Sequence, residues 1–185
     1  IYIEHGAGQS YVGVKTRHAQ HYAGGPHPDN VIGYVCPNAH VAAKWKKPTV
    51  VVGCPAVDRI KRVAHYQDVC AITFHCDFPL VCPEARSARP HYIDQLHEII
   101  AWIKGTASGD VTVLGHAHPR DKLAPDIWRN LNIEFIPDPD EVLARATFVL
   151  ADNTSFAYEA ALIGVPSIAL NAPWYRRDVH HGFSR

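Results

Sequence analysis

Methionine is missing from all 185 residues, and the chain opens on Ile1 in an apolar Ile-Tyr-Ile run. With its last residue, Arg185, close behind an expected helix start, we read it as a fragment of a longer protein. Cysteine pairing is missing too. Cys36, Cys54, Cys70, Cys76 and Cys82 form an odd set without a Cys-x-x-Cys pair, which excludes a disulfide framework and a zinc ribbon and suits reduced, buried thiols. Neither sign of charge is in surplus, since 18 basic residues balance 18 acidic ones, so no nucleic-acid partner is expected. No apolar run reaches the roughly 20 residues that span a bilayer, and no signal peptide is apparent. The expected location is cytoplasmic, free or peripheral at a membrane.

Three catalytic signatures are also absent. There is no Gly-x-Ser-x-Gly elbow, no Gly-x-x-x-x-Gly-Lys loop and no Gly-x-Gly-x-x-Gly behind a strand. Covalent catalysis on an elbow serine, P-loop hydrolysis and NAD chemistry lose their usual supports.

What is present is an alternation of short apolar runs with helical patterns, in a chain that is 47% hydrophobic and 19% charged. That pattern predicts an α/β fold with mainly parallel sheets. Strands are expected at residues 1–3, 31–35 and 49–52, then at 69–74, 111–114, 133–136, 147–150 and 167–170. The spacing of Ile93, Leu96, Ile100 and Ile103 predicts one buried face on a helix from Pro90 to Lys104. Further helices are expected near 40–46, 121–131 and 139–145. The polar connector from Asp58 to Asp68 divides the chain into residues 1–60, the remnant of a first Rossmann-like half, and residues 61–185, a complete second one.

Chemistry-bearing residues recur where these strands end, the edge at which doubly wound sheets hold ligands. His5, in His-Gly-Ala-Gly-Gln, suits a general base at neutral pH; a histidine satisfied within its turn is the alternative. His75 follows Phe74. His116, His118 and Arg120 follow Leu114, and two imidazoles two residues apart could face one phosphate or one metal. A third metal ligand at standard spacing is missing, so no metal is expected. Diphosphate donation from protonated His118 and from Arg120 is preferred, with a structural role equally open for His116.

The segment Asp152-Asn153-Thr154-Ser155 follows an apolar strand and opens a helix that stops at Gly164-Val165-Pro166. It offers four N-cap candidates and a row of backbone N–H groups, a seat for phosphate. Glu159, one turn in, can accept from both hydroxyls of a ribose, or be an exposed helical glutamate. Arg176, Arg177 and His180 could add positive charge, or form a solvated helix start.

His5-Gly6, His118-Pro119 and Asp152-Asn153-Thr154-Ser155 with Glu159-Ala160-Ala161 and Gly164-Val165-Pro166 together resemble the CDP-glycerol glycerophosphotransferases, the teichoic-acid polymerase and primase group, and more broadly GT-B glycosyltransferases. The resemblance implies a GT-B-like pair of Rossmann-like halves, the first truncated, with nucleotide held by the second. By this likeness His5 corresponds to the catalytic base, His118 to the diphosphate-binding histidine, and Thr154 and Ser155 to phosphate-binding hydroxyls. Two departures stand out: Ala7 follows His5-Gly6 where the family often has threonine, and the Asn171 to Arg177 segment is not a general family feature.

The expected activity is transfer of a glycerophosphate or glycosyl group from a nucleotide-diphosphate donor, CDP-glycerol or a nucleotide sugar, to a hydroxyl on a glycan, lipid-linked or protein acceptor. No covalent intermediate and no cofactor is required. The alternatives are a UDP-sugar 2-epimerase-like enzyme and a non-catalytic nucleotide-sugar-binding module.

Overall fold

The computed structural model describes residues 1–3, 31–43, 45–64, 67–75, 92–107, 109–121, 124–152 and 154–170. These fall into two compact units, one ending at Asp58 and the other beginning at Arg59. Every strand pairing among the described residues is parallel, and from Tyr34–Cys36 onward a helix separates each strand from the next. The architecture is α/β.

In the first unit, β1 (Tyr2–Ile3), β2 (Tyr34–Cys36) and β3 (Thr49–Val51) lie side by side in that order. Helix α1 (Ala39–Ala42) is started by Asn38, whose side chain accepts from the Val41 N–H at 2.9 Å. Tyr34, Cys36 and Val41 form its small core, and the Tyr34 ring stacks on Trp45 at 3.7 Å. Helix α2 (Pro55–Asp58) closes the unit.

The second unit holds five strands: β4 (Asp68–Phe74), β5 (Val111–Ala117), β6 (Glu134–Phe135), β7 (Phe148–Ala151) and β8 (Ser167–Ala169). Their order across the sheet is β6-β5-β4-β7-β8. Counted within the unit this is third, second, first, fourth, fifth, the doubly wound order whose winding reverses between β4 and β7. Helices α3 (Leu96–Thr106) and α4 (Ala124–Asn130) follow β4 and β5, and α5 (Pro139–Arg145) and α6 (Phe156–Leu162) follow β6 and β7.

Alternate residues of each strand supply the two cores. Val69 and Ala71 of β4, with Leu114, Val149 and Ala151, pack against Val142, Leu143, Phe156 and Ala160 of α5 and α6. Cys70, Ile72 and Phe74, with Val113 and Leu150, pack against Leu96, Ile100 and Ile103 of α3 and Trp128 of α4. A sheet covered on both faces needs strands that are apolar at every position, and β4 is buried from Val69 through Phe74. Burial also pushes the Cys70 thiol up to about 12, which leaves it a protonated, unreactive core residue.

Helix ends follow local chemistry. A single 3₁₀ turn, Ile93–Gln95, precedes α3, so the α-helix starts later than the periodicity predicts, although Leu96, Ile100 and Ile103 are its buried residues as expected. At the end of α6, Gly164 takes φ +79°. Its N–H donates to the Ala161 carbonyl at 3.1 Å, and Val165 N–H donates to the Ala160 carbonyl at 2.9 Å. This is a Schellman stop, and a Cβ at Gly164 would strain the left-handed backbone that it requires.

Strand β5 runs three residues beyond the expected end at Leu114. The cause is β4, which continues alongside and pairs Ile72 with Gly115, Thr73 with His116 and Phe74 with Ala117. Gly115 allows the Trp128 indole to lie flat on the strand, since a Cβ at that position would overlap the ring. His116 is therefore an interior strand residue. It is 4% exposed, its Nδ1–H donates to the Ile136 carbonyl at 2.8 Å, and its ring stacks on Phe156 at 4.9 Å. Burial holds its pKa below the ordinary 6.5, so the ring is neutral at pH 7. The expectation that His116 and His118 face one ligand is corrected here: His116 braces the start of α6 from within the core.

Two outcomes follow from this register. Gly115→Ala should destabilise the second unit by about 1–3 kcal/mol, the usual cost of overpacking. Shortening the ring in Gly115→Ala/Trp128→Leu should make the pair less damaging than the sum of its parts, as urea unfolding would read. For His116 the unfolded state binds the proton more readily than the folded state. Its contribution is therefore complete above pH 6.5 and is lost as the pH falls from there through the lower folded value. Between pH 7.5 and 5.5 the wild-type protein should lose more stability than His116→Gln, which keeps the donor to Ile136 but does not titrate; equal losses would show that the ring is not held neutral.

Candidate functional site

In doubly wound sheets ligands bind outside the carboxyl ends of the strands at the winding reversal, and three expected site residues emerge at that edge after three neighbouring strands. His75 follows β4, His118 follows β5 and Asp152 follows β7. Asp152 is completely buried and accepts from the His75 backbone N–H at 2.7 Å, which ties the two strand ends together across the reversal. The His118 N–H in turn donates to the Phe74 carbonyl at 3.1 Å. With both backbones anchored, the imidazoles of His75 and His118 meet at 4.6 Å and 49°.

The state of His118 is set by its own turn. Its Nδ1 accepts from the Arg120 backbone N–H at 3.1 Å, so the ring proton sits on Nε2, and the expected protonated ring is corrected to a neutral one that can still donate to an oxyanion. Arg120 is exposed beside it. An imidazole donor at a strand end, against a second imidazole and two residues before an exposed arginine, suits a multiply charged oxyanion such as a diphosphate.

The turn into α6 differs from the open seat that its composition suggests. Thr154 accepts from the Phe156 N–H through its hydroxyl at 3.3 Å, while its own N–H donates to the Asp152 carbonyl at 2.9 Å. Ser155 already has helical backbone angles and makes no side-chain capping bond. Thr154 is thus the local cap, Asp152 looks back to β4, and the Ser155 hydroxyl donates to Glu159 within the helix. These groups lack alternative partners at the sequence level, so only their tertiary neighbours could decide which one caps.

Glu159 is half-buried, and its carboxyl is pushed above the ordinary range chiefly by burial. Ser155 opposes that shift through its hydrogen bond, Asp140 adds to it and Arg59 opposes it. Asp140 and Arg59 carry no sequence signal for a site. Asp140 is brought there because Asp138 caps α5, accepting from the Asp140 N–H at 2.9 Å, and because α5 and α6 share one face of the sheet.

Among the expected residues, His75, His118, Arg120, Asp152, Thr154, Ser155 and Glu159 all lie at or just beyond the carboxyl edge of the second unit. His116 lies within the strand. His5, Asn153, Arg176, Arg177 and His180 lie outside the described residues. Among the described residues no group of three or more His, Cys, Asp or Glu side chains is arranged to hold a metal ion, and no helix is long and apolar enough to cross a membrane.

A desolvated carboxylate should cost stability at neutral pH. Because folding raises the Glu159 pKa, its contribution is complete below the unfolded value near 4.5 and is lost as the pH rises through the folded value. Glu159→Gln should accordingly raise the melting temperature at pH 7, and the gain should vanish below pH 4.5. A lower melting temperature at pH 7 would mean that the carboxylate is a net structural contributor.

No protein-family model and no curated protein matches the chain. Among solved structures it is similar to that of S. aureus MnaA with UDP, at 14% identity and a TM-score of 0.50, over 87% of this chain and 50% of that one. The chain therefore spans about half the length of that structure, and at this identity the likeness establishes the fold alone: a Rossmann-like α/β arrangement of GT-B type with parallel sheets.

Proposed function

We propose that the second unit binds the diphosphate and ribose of an activated nucleotide at the carboxyl edge of β4, β5 and β7. The observation that carries this reading is the convergence of His75, His118 and Asp152 at the winding reversal, with their backbones tied by the His75–Asp152 and His118–Phe74 bonds. A diphosphate would take its donors from the His118 Nε2–H, Arg120 and Thr154. Glu159 would accept from the ribose hydroxyls. The presence of UDP in the S. aureus MnaA structure supports a nucleoside diphosphate as the ligand class.

The activity we infer is transfer of a glycerophosphate or glycosyl group from a nucleotide-diphosphate donor to a hydroxyl acceptor. His5 is the proposed base, taking the acceptor proton as the oxygen attacks. On a CDP-glycerol donor the attack falls on the β-phosphorus and CMP departs; on a nucleotide sugar it falls on the anomeric carbon and the nucleoside diphosphate departs. Preorganised donors at His118 and Thr154 would stabilise the leaving-group charge, the electrostatic contribution that dominates many such sites. This scheme requires no cofactor. A second reading, a UDP-sugar 2-epimerase-like enzyme, is favoured by the UDP of the structural neighbour and differs in needing no acceptor.

Calorimetric titration with UDP tests the site, and CDP-glycerol and UDP-sugars separate the readings. Wild-type protein should bind at least one of these ligands and gain thermal stability from it. His118→Ala should weaken binding about tenfold, as expected for one hydrogen bond to a charged group. Wild-type affinity in that variant would remove His118 from the diphosphate site. Acceptor-dependent nucleotide release identifies the transferase, whereas sugar isomerisation without acceptor identifies the epimerase-like reading.

A further inference from the structure

His116 is a buried titratable side chain to which the nucleotide scheme gives no task. On one side its Nδ1–H donates to the Ile136 carbonyl at 2.8 Å. That carbonyl is itself held in place, because Ile136 is buried and its N–H donates to the Gly115 carbonyl at 2.9 Å. A hydrogen bond is directional, so this one fixes the plane of the imidazole as well as its position. On the other side that plane lies against the Phe156 ring, with centroids 4.9 Å apart and planes 26° from parallel. Phe156 is 4% exposed and is the first residue of α6. In a close-packed interior its position is tied to that of the imidazole.

The contact reaches the ligand edge through the backbone of Phe156. Its N–H donates to the Thr154 hydroxyl at 3.3 Å, while the Thr154 N–H donates to the Asp152 carbonyl at 2.9 Å. A hydroxyl that accepts in this way keeps its one hydrogen for another acceptor, and Thr154 is only half-buried. Filling the space at position 116 would need no polar atom. What the imidazole supplies beyond volume is a ring of fixed plane against Phe156.

We propose that His116 is a positioning residue of the nucleotide site: held by Ile136 and stacked on Phe156, it fixes the Phe156 N–H that leaves the Thr154 hydroxyl as a donor for the diphosphate. This inference rests on the nucleotide-site reading above and adds to it a core residue that does not itself touch the ligand.

The test is a double-mutant cycle between positions 116 and 154, with UDP affinity measured by calorimetry at pH 7.5 and melting temperatures read in parallel. His116→Gln, which keeps a donor for Ile136 but has no ring for Phe156, should weaken UDP binding about twofold to tenfold, the range of one hydrogen bond. Thr154→Ala should weaken it by at least as much. His116→Gln/Thr154→Ala should bind UDP as Thr154→Ala does, because the step through which His116 acts is already gone. Phe156→Leu removes the stacked ring but keeps an apolar side chain; it should match His116→Gln, likewise add nothing to Thr154→Ala, and carry the test if His116→Gln does not fold. Wild-type UDP affinity in either folded variant, or the same fold-loss with Thr154→Ala as without it, would overturn the role of His116, since a merely structural residue lowers the melting temperature without depending on Thr154 for its effect on UDP. Absence of UDP binding by the wild-type protein, or wild-type affinity in Thr154→Ala, would instead overturn the nucleotide-site reading at Thr154 and this inference with it.

Discussion

The buried carboxyl of Asp152 is the contact on which the arrangement of the second unit's ligand edge depends. Where the winding of a doubly wound sheet reverses, adjacent connections leave in opposite directions and no backbone ladder continues past the strand ends. Asp152 closes that gap by accepting from the His75 N–H. A buried acceptor left without its donor costs about 1–3 kcal/mol, so the bond restricts both turns to one conformation. That restriction places the His75 ring against His118 and leaves Thr154 to cap α6. The preorganisation proposed for the site is thus a consequence of satisfying a single buried group.

The extension of β5 is the second constraint, and it separates two histidines that are only two residues apart. His116 falls within the ladder and is consumed by Ile136 and Phe156. His118 falls one residue beyond it, in a turn whose Arg120 N–H holds its tautomer. One imidazole is a neutral core bolt between sheet and helix, the other an edge donor. Gly115 makes this possible by admitting Trp128 to the opposite face.

Glu159 shows the opposite tendency. Its environment disfavours the charged form, which a residue kept only for stability would not require, and perturbed carboxyls of this kind gather at functional sites.

Much of the scaffold was legible from residue order. Apolar runs at 69–74 and 147–150, the spacing of Leu96, Ile100 and Ile103, and the Gly164-Val165-Pro166 stop each reflect local physics, and the structure places a strand, a helix face and a helix end at those positions. The gathering of His75, His118 and Asp152 at one sheet edge was legible as well, because parallel strands joined by helices direct all their carboxyl ends one way. The division of labour within that edge was not. Whether His116 is core or ligand depends on how far β4 runs beside β5; which of Asp152, Thr154 and Ser155 caps α6 depends on whether His75 is near; and Arg59 meets Asp140 only because the segment entering the unit runs along α5. By itself the sequence determined the α/β class, the positions of most strands and the side of the sheet on which chemistry gathers. Tertiary structure alone decided which polar groups are spent on one another and which remain at the sheet edge, because hydrogen-bond partners distant in sequence, not local propensity, make that choice.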